Sequence, residues 1–231
     1  MLLSHEEKHF TGSAVVRDIV IGMSDGLTVP FALTAGLSGA VHSNGIVITA
    51  GIAEIIAGSI AMGLGGYLAG KTECDHYEAE LRREYEEVEH VPEKEKAEIE
   101  EILADYGISE KVKKEFVDEL ALDKDKWVNF MMKFELGLEK PDPKRARNSA
   151  ATIAAAYIGG GFIPLSSYFF TETPQHGLYY SVGVTLIALA LFGFFKNKVI
   201  GENPWKGAWK VTLIGILAAG SAFAIAKLVS Q

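Results

Sequence analysis

GIVITAGIAEIIAGSIAMGLGGYLAG at 45–70 runs without interruption into KTECDHYEAELRREYEEVEH at 71–90, and this junction decides the fold. The first stretch has 26 residues and one charged side chain, Glu54; the second has 20 residues, 11 of them charged. No proline or turn cluster separates them, so they read as one helix whose surroundings change part-way. A helix rises about 1.5 Å per residue and a bilayer's hydrocarbon core is about 30 Å thick, so about 20 apolar residues cross it. The first stretch therefore belongs in lipid and its continuation in water.

Four more runs pass the same test. Ile19–Val41 has 23 residues and one charge, Asp25. Ser149–Phe170 and Gly177–Phe195 carry no charge, and Gly207–Ala226 carries only Lys210, near its start. A chain of this length cannot hold five such helices in a water-soluble core. The runs do not alternate as barrel strands do. The expected fold is an all-α membrane protein of five transmembrane helices, with a helical insert between the second and third. Three regions follow: 1–70 with the first two spans, 71–140 as the insert, and 141–231 with the last three spans.

Charge is segregated in the same way. The 231-residue chain carries a formal charge of -8. Residues 71–140 hold 22 Asp/Glu and 12 Lys/Arg, net -10; the other 161 residues hold 8 and 10, net +2. An acidic balance argues against nucleic-acid binding, which needs clustered cations. The single cysteine, Cys74, excludes an intrachain disulfide framework and a multi-cysteine zinc site. Residues 1–17 are polar and mixed in charge and do not read as a secretory signal.

Cations in short flanks mark the cytosolic side. Lys8, Arg17, Lys71, Lys140, Lys144, Arg145, Arg147, Lys196, Lys198 and Lys206 all fall on one side of the five spans, whereas His42–Asn44 and Thr171–His176 contain no Lys or Arg. The N-terminus and the insert are expected to be cytosolic and the C-terminus to lie on the far side. Trp205 and Trp209 fit an aromatic belt. The spans are rich in Gly and Ala, which allows close helix packing. Five helices make a thin bundle, so a homodimer with a pathway between protomers is expected. Pro30, Pro164 and Gly159–Gly161 suggest local breaks in the first and third spans.

An ionisable residue inside a span is costly and marks a functional candidate. Asp25 on the first helix and Met62 on the second both fall roughly 10–12 Å from the cytosolic edge. A carboxylate and a thioether at one depth suit a borderline or soft metal ion. Glu54 lies about 12 Å beyond Met62. Gly58, Ala61 and Gly65 leave room beside it.

The insert reads as four amphipathic helices: about Lys71–Glu89, Pro92 to near Gly107, Ser109 to about Leu122, and about Asp125–Leu136. Glu73, Glu80, Glu84 and Glu87 share one stripe of the first helix, with His76 at its edge, beside the apolar Tyr77, Leu81, Tyr85 and Val88. Glu95 and Glu98 flank Ile99 and Ile102 on the second. On the last, Trp127, Phe130, Phe134 and Leu138 form a core stripe, with Met131 and Glu135 along its edge and Met132 farther round. Carboxylates bordering packing faces converge when the helices pack, and then need protons or cations. Carboxylate oxygen with Met sulfur suits a transition metal such as ferrous iron better than calcium.

RDIVIGMSDGLTVPFALTAGLSGA at 17–40, AEIIAGSIAMGLGGYLA at 53–69, the Glu-rich insert and IPLSSYFF at 163–170 together resemble the vacuolar iron transporter (VIT) family, plant type, over essentially the whole chain. The resemblance implies a homodimeric, five-span, proton-coupled exporter of ferrous iron from cytosol to vacuole. It is not an enzyme and has no prosthetic group. Its partners are Fe2+, protons, membrane lipid and a second copy of the chain. Related members also handle Mn2+, Co2+ and Zn2+. By resemblance, Asp25, Glu54 and Met62 map to the transport path, and Glu84, Glu87, Glu95, Glu98, Met131, Met132 and Glu135 to the cytosolic metal-binding domain. Two rival readings remain. Glu87-xx-His90 is a spacing that di-iron, ferritin-like oxidases use. A metal-sensing channel is the other.

Overall fold

The computed structural model describes residues 13–230. Among these the chain is helical throughout, with no β-strand. The helices are α1 (Ser13–Ala40), α2 (Asn44–His90), α3 (Pro92–Asp105), α4 (Glu110–Leu120), α5 (Lys124–Phe134), α6 (Arg145–Ser166), α7 (Pro174–Val199) and α8 (Pro204–Val229); a 3-10 turn, Ser167–Phe170, follows α6. The cytosolic placement read for residues 1–12, with Lys8, lies outside the described residues.

Five helices are long and apolar enough to cross a membrane: α1, α2, α6 with its 3-10 turn, α7 and α8. Their outward faces are apolar, as at Ile56, Ile60, Leu64, Ile187 and Leu217. In water such surface is unfavourable; in lipid it is the expected exterior. The chain divides into two compact units, 1–67 with 147–231, and 68–146.

In the first unit, small residues set the spacing. A Cβ on Gly22 would collide with the Ile153 carbonyl, and one on Gly26 with the Tyr157 backbone, so α1 and α6 touch backbone to backbone. The opposite side of α6 meets α2: Gly66 faces the Ile153 side chain, and Gly58 faces the Tyr157 ring. α7 and α8 complete the unit against α1, around Phe31, Ala35 and Ala219.

The expected breaks at Pro30 and Gly159–Gly161 do not occur. α1 passes through Pro30 and α6 through all three glycines as single helices. The glycines serve contact instead: Gly160 lies on the backbone of Gly26 and Leu27, and Gly161 beneath Ile55 and Pro30. The expected break at Pro164 is absent as well, since α6 continues through it. The Ser181 hydroxyl donates to the Pro164 carbonyl at 2.8 Å. The regular helix ends only after Ser166.

In the second unit, α3, α4 and α5 pack with the charged end of α2 around Tyr77, Val88, Ile99, Val117, Trp127, Val128, Met131 and Met132. Pro92 opens α3 where its missing N–H costs nothing. Gly107, at φ 74°, closes it with Gly107 N–H on the Ala104 carbonyl and Ile108 N–H on the Leu103 carbonyl. Asp123 caps α5 by accepting from Lys126 N–H. Ser109 stands at the N-cap position of α4, but its side chain makes no capping bond.

Candidate metal site and membrane acids

In the 68–146 unit, Glu84 of α2, Glu95 of α3 and Glu135, just past α5, bring carboxylate oxygens within 4.8 Å of one another. It is the one grouping of three His, Cys, Asp or Glu side chains of metal-binding geometry among the described residues. Each position has a local cause. Glu84 sits one turn before Val88 on the buried face of α2. Glu95 lies one turn before the buried Ile99 on α3.

Glu135 follows from a rotated core face on α5. The buried residues are Trp127, Val128, Met131 and Met132, whereas Phe134 is 49% exposed. At 100° per residue this face centres roughly 70° round from Trp127, and Glu135 projects at about 80°. The stripe expected from the aromatics is therefore corrected: Phe130 and Phe134 flank the face, with ring centroids 4.7 Å apart, and Phe130 contacts Phe116 at 5.6 Å. Met131 and Met132 belong to the core rather than to its edge.

Two of the three acids are buried and short of partners, and Glu135 is exposed. Glu84 is 2% exposed and Glu95 0%. Glu84 Oε2 and both Glu95 oxygens make no hydrogen bond; the nearest cation, Lys94, stands 3.9 Å from Glu95 Oε1. Burial, then repulsion from Glu135 and Glu95, pushes the Glu84 carboxyl up to about 7. Burial, then Glu98 and Glu87, does the same to Glu95, also to about 7. Burial chiefly raises Glu135, with Glu98 and Glu87 adding to it. Three carboxylates so placed hold protons or a cation.

The other acids of the stripe are engaged elsewhere. Glu87 accepts from Arg83 Nε at 3.1 Å, and Glu98 pairs with Lys94 at 2.9 Å. Glu80 pairs with Arg83 at 3.5 Å and lies 3.8 Å from His76, while Glu73 lies 3.7 Å from Arg145. His90 is exposed with Nδ1 at 2.7 Å from the Glu86 carbonyl, so Glu87-xx-His90 does not assemble as a ligand pair.

In the other unit, α6 acts as a ruler for α1 and α2. Gly22 and Gly66 meet at Ile153, Gly26 and Gly58 at Tyr157, and Pro30 and Ile55 at Gly161. Paired residue numbers thus sum to about 84–88, as antiparallel helices of equal rise require. Asp25 and Met62 fall on one level by this register, and Glu54 about two turns beyond.

Tyr157 is the residue the sequence reading missed. It is 2% exposed, and its hydroxyl donates to Glu54 Oε1. Glu54 Oε2 is buried without a partner. The ring fills the space above Gly58, so that glycine makes room for a tyrosine, not for a pathway; Gly65 does face open space. The one available signal was a large polar ring in a run of Ala and Gly at 150–161. Asp25 makes no hydrogen bond or ion pair among the described residues and is partly exposed.

The VIT family model matches residues 16–227. The chain belongs to the VIT family. It is 55% identical to "Vacuolar iron transporter 1" of Tulipa gesneriana, over 100% of this chain and 94% of that protein. It is 55% identical to the protein of the same name from Arabidopsis thaliana, over 100% of this chain and 92% of that one. With "Protein CCC1" of Saccharomyces cerevisiae it shares 40% identity, over 93% of this chain and 69% of the yeast protein. Two of these three relatives of the VIT chain are named as iron transporters, and none of the three names describes an enzyme.

Proposed function

We propose that this chain is a proton-coupled antiporter that moves ferrous iron from the cytosol into the vacuole and works as a homodimer. The observation that carries the reading is the meeting of Glu84, Glu95 and Glu135, the first two buried, with only Lys94 among the described residues as a nearby cation, at 3.9 Å from Glu95. Relatives named as vacuolar iron transporters support iron as the cargo. Mn2+, Co2+ and Zn2+ are further substrates, since the same donors accept borderline divalent ions. The flank cations support a cytosolic insert and a lumenal C-terminus in the vacuolar membrane.

The insert collects the ion. Glu84, Glu95 and Glu135 bind it, Glu87 and Glu98 add negative potential, and Met131 and Met132 of the adjoining core are the proposed sulfur donors. The ion next meets Asp25 and Met62, one set from each protomer. Glu54, oriented by Tyr157, lies farther along towards the lumen. In an acidic lumen a proton replaces the metal on Asp25 or Glu54, removing the ligand charge and releasing the ion. Return of the protonated carrier resets the cycle. Exclusive occupancy of one carboxylate by proton or metal is sufficient for coupling.

The test is metal uptake into proteoliposomes with an acidic interior. An antiporter accumulates ferrous iron against its gradient and stops when the pH difference is collapsed. A channel only equilibrates the ion, and that result would exclude the proposal. Replacing Glu84, Glu95 and Glu135 by Gln should raise the iron concentration needed for half-maximal uptake while leaving the pH requirement intact.

A further inference from the structure

The hairpin joining α7 to α8 carries a second charged surface, of opposite sign to the insert and with no part in the transport scheme. Lys196, Lys198, Lys206 and Lys210 lie within fifteen residues, 196–210, with Glu202 the only acid among them. None of the four makes an ion pair among the described residues. In the insert most lysines are paired, among them Lys71, Lys94, Lys113, Lys124 and Lys126, although Lys114, Lys133 and Lys140 are not.

The hairpin is rigid. Gly193 and Gly207 meet backbone to backbone, and a Cβ on either would collide with the other's carbonyl. Asn197 Nδ2 donates to the Asn203 carbonyl at 3.0 Å, and Asn203 Oδ1 accepts from Trp205 N–H at 3.0 Å and Lys206 N–H at 3.3 Å. Phe194 packs edge-on against Trp205, centroids 5.2 Å apart. Trp205 and Trp209 are one turn apart, as are Lys206 and Lys210, so indoles and ammonium groups occupy adjoining stripes of α8. Lys196 and Lys198 close the last turn of α7 at the same end.

Both tryptophans face outward, 74% and 71% exposed, beside the exposed Phe195, Val199 and Ile200. Water does not favour such a rim, and a lipid headgroup region does: the ring lies among glycerol and acyl carbons and the ammonium reaches the phosphate. We infer that this hairpin is a binding surface for anionic phospholipid headgroups of the surrounding bilayer. The exposed apolar collar favours lipid over an acidic protein partner, which would leave that collar bare. The inference rests on the helices lying in a bilayer, not on what they transport.

The test uses the full chain reconstituted in vesicles of brominated lipid, with quenching of tryptophan fluorescence as the readout. Trp127, 4% exposed within its own apolar cluster, gives a constant background. Brominated phosphatidylserine should bind the rim about fivefold more tightly than brominated phosphatidylcholine at low salt, the equivalent of roughly one lysine at an anionic surface. High salt should reduce the preference. The combined change Lys196→Gln, Lys198→Gln, Lys206→Gln and Lys210→Gln should bring the ratio to about one, and Lys227→Gln, at the other end of α8, should leave it unchanged. Equal quenching by the two lipids in the unaltered protein would overturn the inference, whatever the variants do. So would a preference that survives the fourfold change or is lost equally in Lys227→Gln.

Discussion

At the scale of single residues, Glu95 and Tyr157 carry opposite lessons about buried oxygen. Glu95 has two buried oxygens with no bonds, and its carboxyl is held near 7 by burial and by neighbouring acids. A carboxyl raised in the folded state stabilises the fold below its ordinary range, about 4.5, and loses that contribution as pH rises through about 7. The metal-free protein should therefore melt at progressively lower temperature between pH 5 and pH 8, by several degrees, and ferrous iron should restore most of the loss at pH 8. Glu95→Gln should flatten the pH profile and weaken iron binding at least roughly tenfold, which calorimetry and a metal titration would check. Tyr157 instead supplies a donor that Glu54 lacks elsewhere. Tyr157→Phe and Gly58→Ala, which drives a Cβ into the phenol, should both reduce uptake into vesicles. Gly65→Ala, in open space, should leave it unchanged. Equal behaviour of the three variants would remove Tyr157 from the transport path.

At the scale of helices, the elements legible in sequence were those fixed by local pattern. The α2 junction at 70–71 contains nothing that stops a helix, and α2 runs unbroken for 47 residues. Pro92, Gly107 and Gly137 punctuate the insert for reasons internal to a few residues. The face of α5 was not legible, because aromatic rings were given the core by size while neighbouring helices turned Val128, Met131 and Met132 inward. Unfolding of the metal-free protein in denaturant distinguishes the two faces. Met131→Ala should cost about 2–5 kcal/mol and Phe134→Ala under about 1 kcal/mol. The reverse order would restore the aromatic stripe. The Gly159–Gly161 run misled for a related reason. Glycine weakens an isolated helix, but here close contact with α1 and α2 offsets that cost.

At the scale of the whole chain, the net charge of -8 is a sum of unlike parts. The insert gathers acids that meet inside it, the rim gathers lysines without acid partners, and the spans hold only Asp25 and Glu54. Segregation was visible in composition alone. The choice of Glu84, Glu95 and Glu135 from so many glutamates was not, since it depends on which helices pack. Nor was the hydrogen bond from Tyr157 to Glu54, between residues 103 positions apart. Coupling of iron to protons is expected to rest on Asp25, the acid on the level of Met62. The most direct measurement is ferrous iron uptake into proteoliposomes with an acidic interior, comparing the unaltered chain with Asp25→Asn. Uptake driven by the pH gradient should be abolished by the substitution while iron binding to the insert persists. Full gradient-driven uptake by Asp25→Asn would contradict the mechanism.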